Sequence, residues 1–178
     1  MPTLTRLQKI WLLSDMVLYP EAVAFIRWLV EKEGCNPLPV SQVNGLFSIA
    51  ESSRYGELRQ FVEHQRDRDW PPSKRDIKTF YTRLEQELTR LERRLDVEFH
   101  LVKDERGRRV SEADENEMLA LLVREYIQHI VAENGVIAAE LEDQRRAKQR
   151  AGGHTGGQPQ QRSGGRDGNQ WSNRSRGA

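Results

Sequence analysis

Ile77, Tyr81, Leu84, Leu88, Leu91 and Leu95 recur at spacings of 4, 3, 4, 3 and 4 residues. That period constrains the fold more than any other feature of the chain. Side chains so spaced share one side of an α-helix. A seam of about two and a half heptads has to pack against other helices. The opposite side is charged, with Arg75, Lys78, Arg83, Glu85, Glu87, Arg90, Arg93 and Arg94. Pro71 and Pro72 end whatever helix comes before, because proline cannot continue the hydrogen-bond ladder, and Ser73 is the expected cap of the seam helix.

Other stretches show the same helical period. Residues 5–18 carry Leu7, Ile10, Trp11, Leu13, Met16, Val17 and Leu18, so the spacing predicts a helix, although a run this apolar also fits a buried strand. Pro20 opens a second helix with the stripe Val23, Phe25, Ile26, Trp28, Leu29 and Val30, closed by Gly34. Ser41 is the expected cap of a short helix through Ala50, and residues 54–69 form the next, with Tyr55, Leu58, Phe61, Val62 and Gln65 on one face. In residues 97–102, Val97, Phe99 and Leu101 alternate with polar residues and read as extended, followed by a turn at Gly107. Ser111 starts a long helix whose wide stripe, from Met118 to Leu141, marks it as the central element of a bundle.

These elements predict an all-α fold: a compact bundle of about five or six helices over residues 1–148. Residues 149–178 form an Arg/Gly-rich tail with almost no aliphatic side chain, and such a segment is expected to stay disordered. A body of roughly 150 residues buries about two-thirds of its unfolded surface, so it needs neither metal nor disulfide. One cysteine, Cys35, and no secretory signal point to the reducing cytoplasm. No stretch approaches the roughly 20 apolar residues of a membrane span. The chain's net charge of +1 hides an asymmetry. Residues 145–178 hold eight Arg and Lys against Asp167 alone, a net +7, which leaves −6 on residues 1–144. A basic tail on an acidic body fits an anionic partner, and fits equally a tail that only solubilises.

Motifs for chemistry are sparse. Glu125, His129 and Glu133 share a helix face, but a zinc site takes three or four ligands with a second His or Cys cluster, and an ion-pair ladder explains them better. His64 with Asp67 and Asp69 matches no metal spacing. No Gly-x-Ser-x-Gly, dinucleotide or phosphate-loop motif occurs. No catalytic residue, metal or cofactor is expected, and Cys35 lacks the cationic neighbours of an activated thiol.

Residues 54–94 hold eleven bases against eight acids, with Trp70 and Tyr81 interleaved. Guanidinium groups bind phosphates and aromatic rings stack on bases, whereas ion pairs within helices are the alternative use of such charges. Arg59, Arg66, Arg68, Lys74, Arg75 and Lys78 bracket the Pro71–Pro72 corner, where two helix ends gather charge, and are the expected RNA-binding set. In the tail, Arg162 to Arg166 and Arg174 to Gly177, with Trp171, are similar to Arg/Gly-type RNA-binding segments.

Three segments together resemble a known family. They are Pro39-Val-Ser-Gln-Val-Asn-Gly-Leu-Phe47 leading into Tyr55-Gly-Glu-Leu-Arg-Gln-Phe-Val-Glu-His-Gln65, then Phe80-Tyr-Thr-Arg-Leu84, then Met118-Leu-Ala-Leu-Leu-Val-Arg-Glu-Tyr-Ile-Gln-His-Ile-Val-Ala-Glu-Asn134. Over roughly residues 37–140 the chain resembles the small helical subunit of type III CRISPR effector complexes. The resemblance implies a non-enzymatic role in antiviral defence. Such subunits stack on copies of themselves, lie beside other effector subunits and contact the backbone of guide and target RNA. Two other classes stay open. One is a protein-interaction module in which the 77–95 seam pairs with a partner helix. The other is a helix-turn-helix DNA-binding regulator built on residues 41–50 and 54–69, with Tyr55, Glu57 and Arg59 at the start of its reading helix.

Overall fold

The structure is a computed structural model and describes residues 5–52, 54–103 and 106–152. It is all-α. The elements are α1 (Arg6–Leu13), a π-helical turn (Ser14–Leu18), α2 (Tyr19–Glu31), α3 (Val40–Ser52), α4 (Tyr55–Asp67), a 3₁₀ turn (Pro72–Lys74), α5 (Arg75–Val97) and α6 (Glu112–Gly152). The chain divides into two units, residues 1–143 and 144–178. The core described below belongs to the first. The expected disorder of residues 149–178 falls mostly outside the described residues, and α6 itself continues to Gly152. No helix among the described residues is long and apolar enough to cross a membrane.

The helix expected over residues 5–18 does not stop before Pro20. Thr5 and Gln8 form a reciprocal capping box at its start. The π-turn then carries the chain into α2, with the Tyr19 N–H donating to the Ser14 carbonyl. The wider turn accommodates the proline ring and its missing donor, so the two expected helices make one continuous run. After α2, Gly34 takes the left-handed conformation (φ 69°) that ends the helix, and the Cys35 N–H returns to the Leu29 carbonyl.

Two expected serine caps are displaced. α3 begins at Val40, and the Pro39 carbonyl accepts from Gln42 and Val43, which puts Ser41 inside the helix. Ser73 lies in the 3₁₀ turn, so α5 starts two residues later. Ser111 does cap α6, its Oγ accepting the Asp114 N–H at 3.1 Å. The 97–102 alternation does not become a strand. α5 ends at Val97, His100 adopts φ 52°, and only an isolated bridge joins Lys103 to Arg109. A strand needs a partner along its length, and the described residues supply none.

The α5 seam is spent inside the molecule. Ile77, Tyr81, Leu84, Leu88, Leu91 and Leu95 are each buried to 5 % exposure or less. α4 runs antiparallel to α5, and Phe61 meets Tyr81 edge-on with ring centres 6.1 Å apart. Phe25 joins α2 to α5 through Phe80 (5.7 Å) and to α6 through Tyr126 (6.5 Å). α6 is the central element expected of it. It ties to α3 through Gln128 and Glu51 (2.8 Å), to α2 through Glu133 and Arg27 (3.0 Å), and to the 35–39 loop through Asn134.

Tyr126 is fully buried, and its hydroxyl finds no hydrogen-bond partner. Burial, reinforced by Glu87, pushes its ionisation far above the usual tyrosine range. A buried hydroxyl without a partner costs stability, so Tyr126→Phe should stabilise the fold by about 1 kcal/mol. Chemical denaturation of the two proteins, compared at equal slope, measures this.

Candidate nucleic-acid interface

α4 and α5 form a helical hairpin whose corner is residues 68–74. Its outer surface carries the six basic residues singled out from the sequence, and the fold divides them. Arg59 sits a full two turns from the corner. It donates to Glu63 (3.2 Å) and, across the hairpin, to Glu92 (2.9 Å). Arg66 is held by Asp67 (2.7 Å) and by Glu85 on α5. The hydrogen bonds to these carboxylates raise the pKa of both guanidinium groups. Arg59 and Arg66 therefore serve first as clamps between α4 and α5.

Arg68, Lys74, Arg75 and Lys78 are different. All four are exposed, and none forms an ion pair among the described residues. The Arg68 guanidinium lies over the Trp70 ring, 4.7 Å from its centre, and the indole N–H donates to the Gln65 carbonyl (2.7 Å). Trp70 is thereby fixed with a ring face beneath a cation. Lys78 lies within electrostatic reach of Asp67, which brings the end of α4 beside the start of α5. The Asp67 carboxyl is lowered in pKa chiefly by its hydrogen bond to Arg66, with Lys78 and His64 adding to it. Asp76 is turned away, accepting from the Asn36 backbone N–H (3.1 Å) and side-chain amide (2.8 Å). Beside the corner, Leu38, Pro39, Ser41, Ser73 and Lys74 line an open cleft of about 350 Å³.

Elsewhere on the body several arginines are tied to carboxylates. Arg83 pairs with Glu33 (2.7 Å), Arg90 with Glu87 and Glu21, and Arg94 with Glu21 and Glu98. Arg54 and Arg93 are likewise exposed without an ion pair among the described residues, so what marks the corner is that four such cations gather within residues 68–78. Sequence periodicity could locate the corner, but not say which of its charges were already used.

Several expectations change at this point. Tyr81 is fully buried and its hydroxyl donates to Gln42 (3.3 Å), so it is a core residue and not a stacking platform. Tyr55, at the start of α4, is buried and donates to Glu92 (3.3 Å). Burial and the neighbouring Glu92 push its pKa up to about 12. With Arg59 clamped as well, two of the three side chains that a helix-turn-helix reader would use at α4 face the body.

Glu125, His129 and Glu133 are held by the N-terminal run. The Ser14 hydroxyl donates to Glu125 (2.9 Å) and sits 2.8 Å from His129 Nε2, and Tyr19 packs edge-on against the His129 ring. Since the one hydroxyl proton goes to Glu125, the Ser14 oxygen accepts from His129 Nε2. Ser14 is 2 % exposed, and this half-buried cluster fastens the π-turn to α6. No group of three or more His, Cys, Asp or Glu among the described residues could hold a metal ion. Cys35 is buried, and burial first, then Asp76 and Glu33, raise its thiol pKa.

No family model, curated protein or solved structure matches this chain.

Proposed function

We propose that the protein is a non-catalytic RNA-binding structural subunit, contacting the phosphate backbone of guide and target RNA in a type III CRISPR ribonucleoprotein. Its remaining partners in that role are other effector subunits and copies of itself. The observation that carries the reading is the corner: Arg68, Lys74, Arg75 and Lys78 are exposed and unpaired together within residues 68–78, whereas Arg59 and Arg66 beside them are engaged by carboxylates. Unpaired cations can exchange counterions for phosphates without first breaking an ion pair. They are held at helix ends, and contact with phosphates carries no sequence information, which suits a subunit that accepts any target. The basic tail would add affinity through the same counterion release.

The test uses the full chain and single-stranded RNA of mixed sequence. Replacing Lys74, Arg75 and Lys78 together with glutamine should weaken binding about tenfold and reduce the slope of log affinity against log salt by about 2. Arg59→Gln should lower stability more than affinity. An unchanged slope in the triple variant removes the corner from the interface.

A further inference from the structure

The first helical run is apolar on its solvent side as well as its core side. Ile10, Ser14 and Leu18 point into the body, while Leu7, Trp11, Leu12, Met16 and Tyr19 are 51, 60, 53, 70 and 50 % exposed. Within that exposed face the polar side chains are Gln8 and Asp15. A helix apolar all round is normally covered all round. The open part of these side chains comes to roughly 600 Å², most of the roughly 800 Å² that each partner contributes to a standard protein interface.

We propose that a second copy of this chain covers the face, with the two runs packed antiparallel about a two-fold axis passing between Trp11 and Leu12. The order of residues is self-complementary in that register. Leu7 meets Met16, Trp11 meets Leu12 and Gln8 meets Asp15, each pairing occurring twice as an isologous contact requires. Gln8 is prepared for this. Its Oε1 accepts the Thr5 N–H at 2.9 Å, which leaves the amide N–H groups free to donate to the Asp15 carboxylate of the second copy. A parallel pairing would set Asp15 against Asp15, a like-charge contact that disfavours it. The α5 seam cannot serve instead, because it is already buried. This interface does not depend on the RNA-binding reading.

Sedimentation equilibrium of the full chain, stripped of nucleic acid, tests it at up to about 100 µM, a hundredfold above a micromolar Kd. The expected species has twice the 20.7 kDa chain mass. Met16→Glu should return it to monomer with an unchanged helical circular dichroism spectrum. Asp15→Lys should weaken association at least about tenfold, a loss of about 1.4 kcal/mol per decade, and adding Gln8→Glu should restore it by giving the lysine a carboxylate across the interface. The Lys74, Arg75 and Lys78 glutamine variant should dimerise like the parent, so failure at either surface is read separately. A chain monomeric throughout the range, a Met16→Glu dimer, or an Asp15→Lys protein that associates like the parent would each overturn the proposal.

Discussion

Leu84→Ala is expected to lower the unfolding free energy by about 3 kcal/mol, a large share of the roughly 5–15 kcal/mol that holds a domain together. Leu84 lies in the middle of the α5 seam and is fully buried between helices of its own chain. Truncation removes several methyl and methylene groups and leaves a cavity that the rigid α4–α5 pair cannot close. The melting temperature should fall by about 10 °C. The mass of the protein in solution should stay unchanged. Had the 77–95 seam been the docking site for a partner helix, the same substitution would weaken association and leave the monomer's stability nearly intact. Thermal denaturation and sedimentation of the one variant separate the two cases.

Asn134→Ala should cost a comparable amount, about 3 kcal/mol, through polar rather than apolar loss. Asn134 is 5 % exposed on α6. Its Oδ1 accepts the Leu38 N–H at 2.8 Å and its Nδ2 donates to the Leu38 carbonyl at 3.2 Å. The proline-flanked 35–39 loop has no ladder of its own, so this side chain stands in for one. Alanine strands a buried donor and a buried acceptor together. Asn134→Asp gives a second readout. A carboxylate accepts from the N–H but faces the carbonyl with like charge, which raises its pKa above the unfolded value. The folded state then binds the extra proton more tightly, so this variant regains stability as pH falls through the raised pKa and loses it as pH rises. The asparagine protein should show no such gain at that site. Denaturant midpoints of both proteins between pH 4 and about pH 8 record the difference.

Some of this structure was legible from residue order. The 4-3-4-3-4 spacing placed Ile77 to Leu95 on one buried face, because burial follows helical phase wherever one side must meet a core. Ser111 was readable as a cap, since its hydroxyl acts three residues away. Gly34 and Gly107 both adopt positive φ, which a residue without a Cβ does at little cost. Ser41 and Ser73 misled for an equally local reason. Pro39 starts α3 through its carbonyl, and the 3₁₀ turn at Pro72 absorbs the residue that would have capped α5. The Val97, Phe99 and Leu101 alternation misled because period two needs a neighbouring strand to become a sheet.

The candidate interface divided in the same way. The sequence by itself determined that basic residues gather at the Pro71–Pro72 corner, that the body is helical and that its charge is opposite to the tail's. Only the tertiary structure decided that Arg59 and Arg66 are clamps, because Glu92 and Glu85 lie on the returning helix. It also decided that Tyr81 is core, and that Trp11 and Met16 face solvent although their spacing suited a core stripe. Phase along a helix fixes which residues lie together on a face. It cannot fix which face another helix will cover, because that depends on where the chain comes back, and the partners of these charges and of the α1 surface are set by that return.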